Sequence, residues 1–270
     1  MDKQVATAVS KLASASKANE CKWTDRDFGP NDDDEYGEES LYGLNRKPPG
    51  GQYPKASKIK WSRPIYADGE EGGEEESSSE EEDDDEEDDE FGEDFDDDQG
   101  ESSGSWCTKG RLFIGGSGSG DIVQGSLGDC WFLGALSVLA TRQELLEGVF
   151  FNGEKHKDVG IFTCRFFKDN TWVYVVVDDR IPCYDNNEGT PVFARCRDND
   201  ELWVPLIEKA YAKLHGSYKA LIGGYVHYGL SDMTGFNPIQ MVVKRGHQGF
   251  HEEVRGEGRE RKANAFLTNY

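Results

Sequence analysis

The sequence predicts an α+β fold in which a mostly helical unit carries small strand pairs, and three observations point to it. An apolar stretch begins at Trp131 and continues through Arg142 and Gln143 to Val149, a length that favours a buried helix over a strand. Two strand-like runs, residues 161–167 and 171–177, are joined by Lys168-Asp169-Asn170, a hairpin signal. Residues 198–218 place Leu202, Leu206, Ala210 and Lys213 at helical spacing with Leu214 beside them, and Gly216 stands where such a helix would stop.

From the N-terminus, residues 1–20 are rich in Ala, Ser and Lys and are expected to form a short helix or to be disordered. They lack the apolar run of a secretory signal. Residues 21–68 mix Trp23, Phe28, Tyr36, Tyr42, Tyr53, Trp61 and Tyr66 with Pro and Gly, which predicts an irregular segment packed on a larger body. Residues 69–105 are acidic and of low complexity. No Lys or Arg stands between Pro64 and Thr108, whereas Asp68, twenty-one acidic residues between Glu70 and Asp98, and Glu101 carry 23 negative charges. That equals the net charge of −23, so the remainder of the chain is neutral. Like charges at this density repel, and almost no apolar surface is present to offset the ordering entropy. A disordered acidic insert is expected. Order is expected again at 106–236, and little packed structure in the basic, Gly-rich tail 237–270.

These properties exclude several classes. Without a basic patch, nucleic acid is not an expected partner. The longest apolar run, residues 131–140, is about half the ~18–20 residues of a membrane span. Six cysteines, at 21, 107, 130, 164, 183 and 196, form neither a CxxC pair nor a dense framework, which points to a reducing, cytoplasmic setting. Gly115 and Gly120 have P-loop spacing, but Asp121 follows where a Lys is required and would repel phosphate. His247 and His251, with Glu252 and Glu253 adjacent, lack the His-Glu-x-x-His order and read as solvated tail. The acidic run reads first as a solvated linker. Docking of a basic partner and loose collection of cations are the functional alternatives, and Ser77, Ser78 and Ser79 ahead of Glu80 are candidate phosphorylation sites.

The segment that carries chemistry is Gln124-Gly125-Ser126-Leu127-Gly128-Asp129-Cys130-Trp131-Phe132-Leu133. A nucleophilic thiolate is favoured at a helix N-terminus, where the macrodipole and free N–H groups stabilise negative charge. An oxyanion needs donors, and the Gln124 amide with the Cys130 N–H can converge on one oxygen. Gly125 and Gly128 are expected to let the loop turn tightly and let a substrate backbone approach. An arbitrary cysteine opening a core helix is most often an inert structural thiol; the Gln-x5-Cys-Trp setting reverses that expectation.

This segment resembles the active-site signature of calpains, the intracellular calcium-dependent cysteine endopeptidases of papain type. The likeness extends to Trp172-Val-Tyr-Val-Val-Val-Asp-Asp-Arg-Ile-Pro182, to Glu201-Leu-Trp203, to Glu208-Lys-Ala-Tyr-Ala-Lys213, to Gly216-Ser-Tyr-Lys-Ala-Leu-Ile-Gly-Gly224 and to Asp232-Met-Thr-Gly235. Upstream, Asp25-Arg-Asp-Phe28, Ser40-Leu-Tyr42 and Trp61-Ser-Arg-Pro64 are similar to the family's pre-catalytic segment, into which the acidic run is inserted. The resemblance implies the first, mostly helical subdomain of a papain-like protease core, with Cys130 as nucleophile and Gln124 as oxyanion donor. It implies that Gly223 and Gly224 offer backbone hydrogen bonds to an extended protein substrate. It also implies a Ca²⁺ site at the carbonyls of Ile114 and Gly116 and the carboxylates of Asp121 and Glu201, hard oxygen donors of the kind Ca²⁺ prefers.

A cysteine protease also needs a base and a residue to orient it. Calpains supply a His within Gly-His-Ala/Ser-Tyr and an Asn within Asn-Pro-Trp-Gly. The histidines after Cys130 are 156, 215, 227, 247 and 251, and none has that context. Asn237-Pro238 precedes His247, and no Trp follows it. No His or Asn role is assigned. The expected function is a calcium-dependent cysteine endopeptidase acting on intracellular proteins, represented by its nucleophile half and weak alone. The alternative is a non-catalytic interaction or regulatory protein that keeps the calpain fold and presents an acidic arm.

Overall fold

A computed structural model describes residues 1–49, 53–66, 106–115, 121–186 and 189–237, together with the strand backbone at 239–240 and 265–266. The expected disordered insert 69–105, Gly116 and most of the tail lie outside the described residues. In chain order the elements are α1 (Asp2–Ala18), α2 (Glu38–Tyr42), β1 (Ile59–Ser62), β2 (Ile122–Val123), α3 (Cys130–Leu139), α4 (Gln143–Glu147), β3 (Ile161–Lys168), β4 (Thr171–Asp178), β5 (Ile181–Tyr184), β6 (Arg195–Cys196), α5 (Trp203–His215) and α6 (Val226–Thr234). Two short parallel strands follow, β7 (Ile239–Gln240) and β8 (Ala265–Phe266). The architecture is α+β: helices around small antiparallel pairs, β1 with β5, β2 with β6, and β3 with β4.

The β3–β4 hairpin follows from its sequence. Asp169 and Asn170 both take left-handed backbone angles (φ 49° and 62°), which short polar side chains tolerate and which match the twist of a two-residue turn. Successive side chains alternate across the strands. Phe162, Cys164 and Phe166 enter the main core with Val175 and Val177, while Ile161 and Val176 face the other way, with Val159, under Val9 and Ala13 of α1. The N-terminal segment is thus a 17-residue helix seated on the hairpin's outer face.

The apolar stretch expected as one helix is divided. Thr141 and Arg142 close α3 with tight-turn bonds to the Val138 and Leu139 carbonyls (3.1 and 2.9 Å). The Thr141 hydroxyl also donates to the Val138 carbonyl at 2.7 Å, and Arg142 leaves helical backbone at φ −135°, ψ 85°. A side-chain hydroxyl competing for the last carbonyls favours such an end. Likewise α5 begins at Trp203 rather than 198, because Asp198 engages its own loop: its carboxylate accepts the Asp200 N–H and its carbonyl the Glu201 N–H. Gly216 ends α5 with a left-handed φ of 95°, as expected.

Residues 21–49 and 53–66 are pinned to the core at the corner after β4. Asp178 accepts the Asp25 N–H (2.8 Å) and the Arg180 Nε (2.7 Å), and pairs with the fully buried Lys209. The Lys209 ammonium also donates to the carbonyls of Asp178 (3.0 Å) and Arg180 (2.6 Å). Lys213 bridges Asp25 (2.6 Å) to the Val176 carbonyl (2.9 Å). Next in the chain, Asp179 pairs with Arg63 and accepts from the Tyr66 hydroxyl at 3.0 Å. The chain on either side of the acidic run also meets: the Ile65 N–H donates to the Cys107 carbonyl (3.0 Å) and the Gly110 N–H to the Ile65 carbonyl (2.7 Å). The described residues on the two sides of the acidic run are thus hydrogen-bonded to each other.

Candidate active site

Strand β2 delivers the chain to Gln124, and the loop that follows ends at the tip of α3. Two contacts with residues 192–193 hold that loop. The Ser126 N–H donates to the Val192 carbonyl at 2.8 Å, and a Cβ on Gly125 would sit 2.2 Å from the Phe193 carbonyl oxygen. Gly125 is required for this close approach, not for a left-handed turn. A Cβ on Gly128 would meet nothing nearer than the Tyr53 hydroxyl at 3.5 Å. Tyr53 itself pins the loop by accepting the Gly128 N–H at 2.9 Å, and Tyr184 hydrogen-bonds the Ser126 hydroxyl at 2.6 Å. The Gln124 amide donates to the Leu127 carbonyl at 2.8 Å. An amide carries two N–H donors, so this bond fixes the side chain within the loop and occupies one of them.

Cys130 is the first residue of α3 and is exposed. The rest of the helix is buried through Phe132, Leu133, Ala135, Leu136 and Leu139, with Phe132 stacked on Tyr211 of α5 at 4.2 Å. The thiol thus stands in solvent at the positive end of a helix locked into the core. The N–H groups of a first helical turn lack intrahelical acceptors, and the dipole favours an anion there. Of the other five thiols only Cys21 is exposed. Burial pushes Cys107 and Cys183 up to about 12 and raises Cys164 and Cys196 as well, so these four stay protonated and inert.

The Gly223–Gly224 pair lies beside this loop. The Gly223 N–H donates to the Gly128 carbonyl (3.1 Å), and the Trp131 indole donates to the Leu221 carbonyl (2.8 Å). A Cβ on Gly224 would come within 2.4 Å of that indole, so only glycine fits. The structure therefore ties Gln124 into the loop that ends at Cys130 and docks Gly223 and Gly224 on that loop and on Trp131. It brings no base to them: among the described residues no hydrogen bond or ion pair joins Cys130 to a histidine. His215 packs at a tilt on Tyr211 with its Nδ1 at 2.9 Å from the Tyr211 carbonyl, and His227 packs between Tyr225 and Tyr228. His247 and His251 lie outside the described residues.

For the proposed cation site, Glu201 accepts the Ile114 N–H at 3.0 Å. Burial raises the Glu201 carboxyl, and the nearby Asp121 charge raises it further. Two carboxylates set near each other with a backbone segment suit a hard divalent cation. Among the described residues no group of three or more His, Cys, Asp or Glu is arranged to hold a metal, and Gly116 lies outside those residues. Sequence reasoning missed Tyr53, Tyr184 and the 192–193 backbone. Nothing local to those residues marks them.

Residues 101–265 match the family described as calpain family cysteine protease. The match extends past Phe236, where the motif likeness ends. Among curated proteins, the calpain-type cysteine protease DEK1 of Zea mays is 51% identical over 124 residues, covering 46% of this chain and 6% of that protein. Calpain-10 of Mus musculus is 44% identical over 133 residues, 48% of this chain and 20% of that protein. Calpain-10 of Rattus norvegicus is 38% identical over 161 residues, 58% of this chain and 24% of that protein. The chain thus spans from 6% to 24% of the length of these relatives.

Proposed function

The chain belongs to the calpain family of cysteine proteases, and on that premise we propose that it carries the nucleophile-bearing part of a calcium-responsive endopeptidase acting on intracellular proteins. The observation that carries the reading is one exposed thiol at the tip of an otherwise buried helix, when four other thiols are sealed in the core. In the reaction the Cys130 sulfur attacks the scissile carbonyl carbon and the carbonyl electron pair moves to oxygen. The Cys130 N–H and the second N–H of the Gln124 amide receive that oxyanion. The backbone of Gly223 and Gly224 lines the extended substrate. The proton for the leaving amine needs a histidine, and no histidine in these 270 residues has the family's context, so turnover by these residues alone is expected to be slow. Asp121, Glu201 and the carbonyls of Ile114 and Gly116 would hold calcium, which on binding would tie the segment before β2 to the start of α5. A reducing, cytoplasmic setting, suggested by cysteine spacing without a CxxC pair or dense framework, is part of the same proposal.

A peptidyl thiol-reactive probe, applied with calcium or with chelator, tests the reading. Labelling is expected at Cys130 alone, faster with calcium, and calcium-insensitive in Asp121→Ala. No labelling at Cys130 would favour a non-catalytic scaffold that keeps the fold.

A further inference from the structure

Asp129 stands at the N-cap of α3, where a carboxylate ordinarily accepts first-turn N–H groups. It makes no such bond. Its side chain turns inward, 1% exposed, and meets the carboxyl of Glu208 on α5, which is also 1% exposed. The Glu208 oxygens both accept the Ala194 N–H, at 3.2 and 3.0 Å. Neither Asp129 oxygen accepts a hydrogen bond from an N–H or O–H among the described residues. No salt bridge reaches either carboxyl among those residues, since Lys209, next along α5, is committed to Asp178 and Arg180. Tyr218, from the turn after α5, is the ionisable group that both carboxylates act on, and it is not a cation.

Two carboxylates in dry contact cannot both ionise. A proton on one turns the contact into an O–H···O bond and supplies the donor that Asp129 lacks. Burial pushes the Asp129 carboxyl above the ordinary carboxylate range. Burial, and then the Asp129 charge, hold Glu208 well above the ordinary carboxylate range.

We propose that Asp129 and Glu208 share one proton and act as positioning residues for the nucleophile, setting how close their single negative charge lies to the Cys130 thiol. The inference rests on Cys130 being the nucleophile. Charge on Asp129, the adjacent residue, opposes a thiolate more than charge on Glu208, which lies behind it in the interior. The two amide variants therefore have opposite effects. Glu208→Gln confines the charge to Asp129 and slows reaction of the thiol; Asp129→Asn moves it to Glu208 and speeds it. In each, the amide keeps the shape and donates to the remaining carboxylate.

The test is the pH profile of Cys130 alkylation by iodoacetamide on the full chain, in a Cys21→Ser background that leaves Cys130 the exposed thiol. At pH 7 Glu208→Gln is expected to react about fivefold slower and Asp129→Asn about fivefold faster, with both profiles displaced along the pH axis. Opposite displacements support the pair. Displacement in one direction for both variants, which loosened packing alone would give, overturns it, as does no displacement. Should either variant fail to fold, the infrared spectrum of the wild-type chain at pH 7 decides: the carbonyl band of a protonated carboxylic acid supports the pair and its absence overturns it. A wild-type Cys130 that reacts no faster than free cysteine overturns the nucleophile reading instead, and the direction of the two variants still decides the pair.

Discussion

Replacing Asp178 by alanine is expected to lower stability by about 3–5 kcal/mol, the cost of leaving a buried charge without its partner. The Lys209 ammonium is fully buried and would lose its carboxylate, and the Asp25 N–H and the Arg180 guanidinium would lose theirs. Burial lifts Asp178 toward the neutral acid, and Lys209 and Arg180 outweigh that and hold it below its ordinary value. For an ordered body of this size the loss corresponds to about 10 °C in Tm, read by a thermal melt. The double variant Asp178→Asn with Lys209→Met should recover more than half of it, because removing both members of a buried pair is far less costly than removing one. Equal losses in the single and double variants would mean that the corner is held by something other than this pair.

The second large effect is expected at Gly125. A methyl group there would lie 2.2 Å from the Phe193 carbonyl oxygen and 2.5 Å from that of Val192, so Gly125→Ala must push the loop off residues 192–193 and break the Ser126 bond. The overpacking costs about 1–3 kcal/mol. Function should suffer more than stability. The loop leads into Cys130 and holds Gln124, and a displacement of about 1 Å can cost a bound substrate about a hundredfold in reactivity. Reaction with a peptidyl probe should fall by that order, while iodoacetamide, which needs no oxyanion site, should slow only a few-fold. Gly128→Ala is the control, since its Cβ would meet only ordinary contacts at 3.5 and 3.6 Å. A Gly125→Ala chain as reactive toward the peptidyl probe as Gly128→Ala would remove the loop's role.

What could be read from the sequence was local. The hairpin was legible because Asp-Asn between two runs rich in aromatic and β-branched residues encodes its own turn. The thiol at a helix start was legible because a loop with Gln, two glycines and Cys-Trp is a compact pattern. The single long helix was misjudged because hydropathy alone does not register a Thr hydroxyl competing for the last carbonyls of α3. Glu208 and Lys209 are charged residues of α5, yet both are buried, and only distant partners (Asp129 for one, Asp178 for the other) explain why. No nearby residue identifies the backbone that closes on Gly125, or Tyr53 as its clamp. Such contacts join segments dozens of residues apart and leave no periodic trace.

The account turns on one sulfur being both accessible and activated by its place in the fold. Limited alkylation of the native chain at neutral pH, followed by peptide mapping of all six cysteines, measures this directly. Cys130 should be modified well ahead of Cys21, with Cys107, Cys164, Cys183 and Cys196 untouched until the chain unfolds. If Cys21 keeps pace with Cys130, the helix tip confers no special reactivity and the assignment of the nucleophile is wrong.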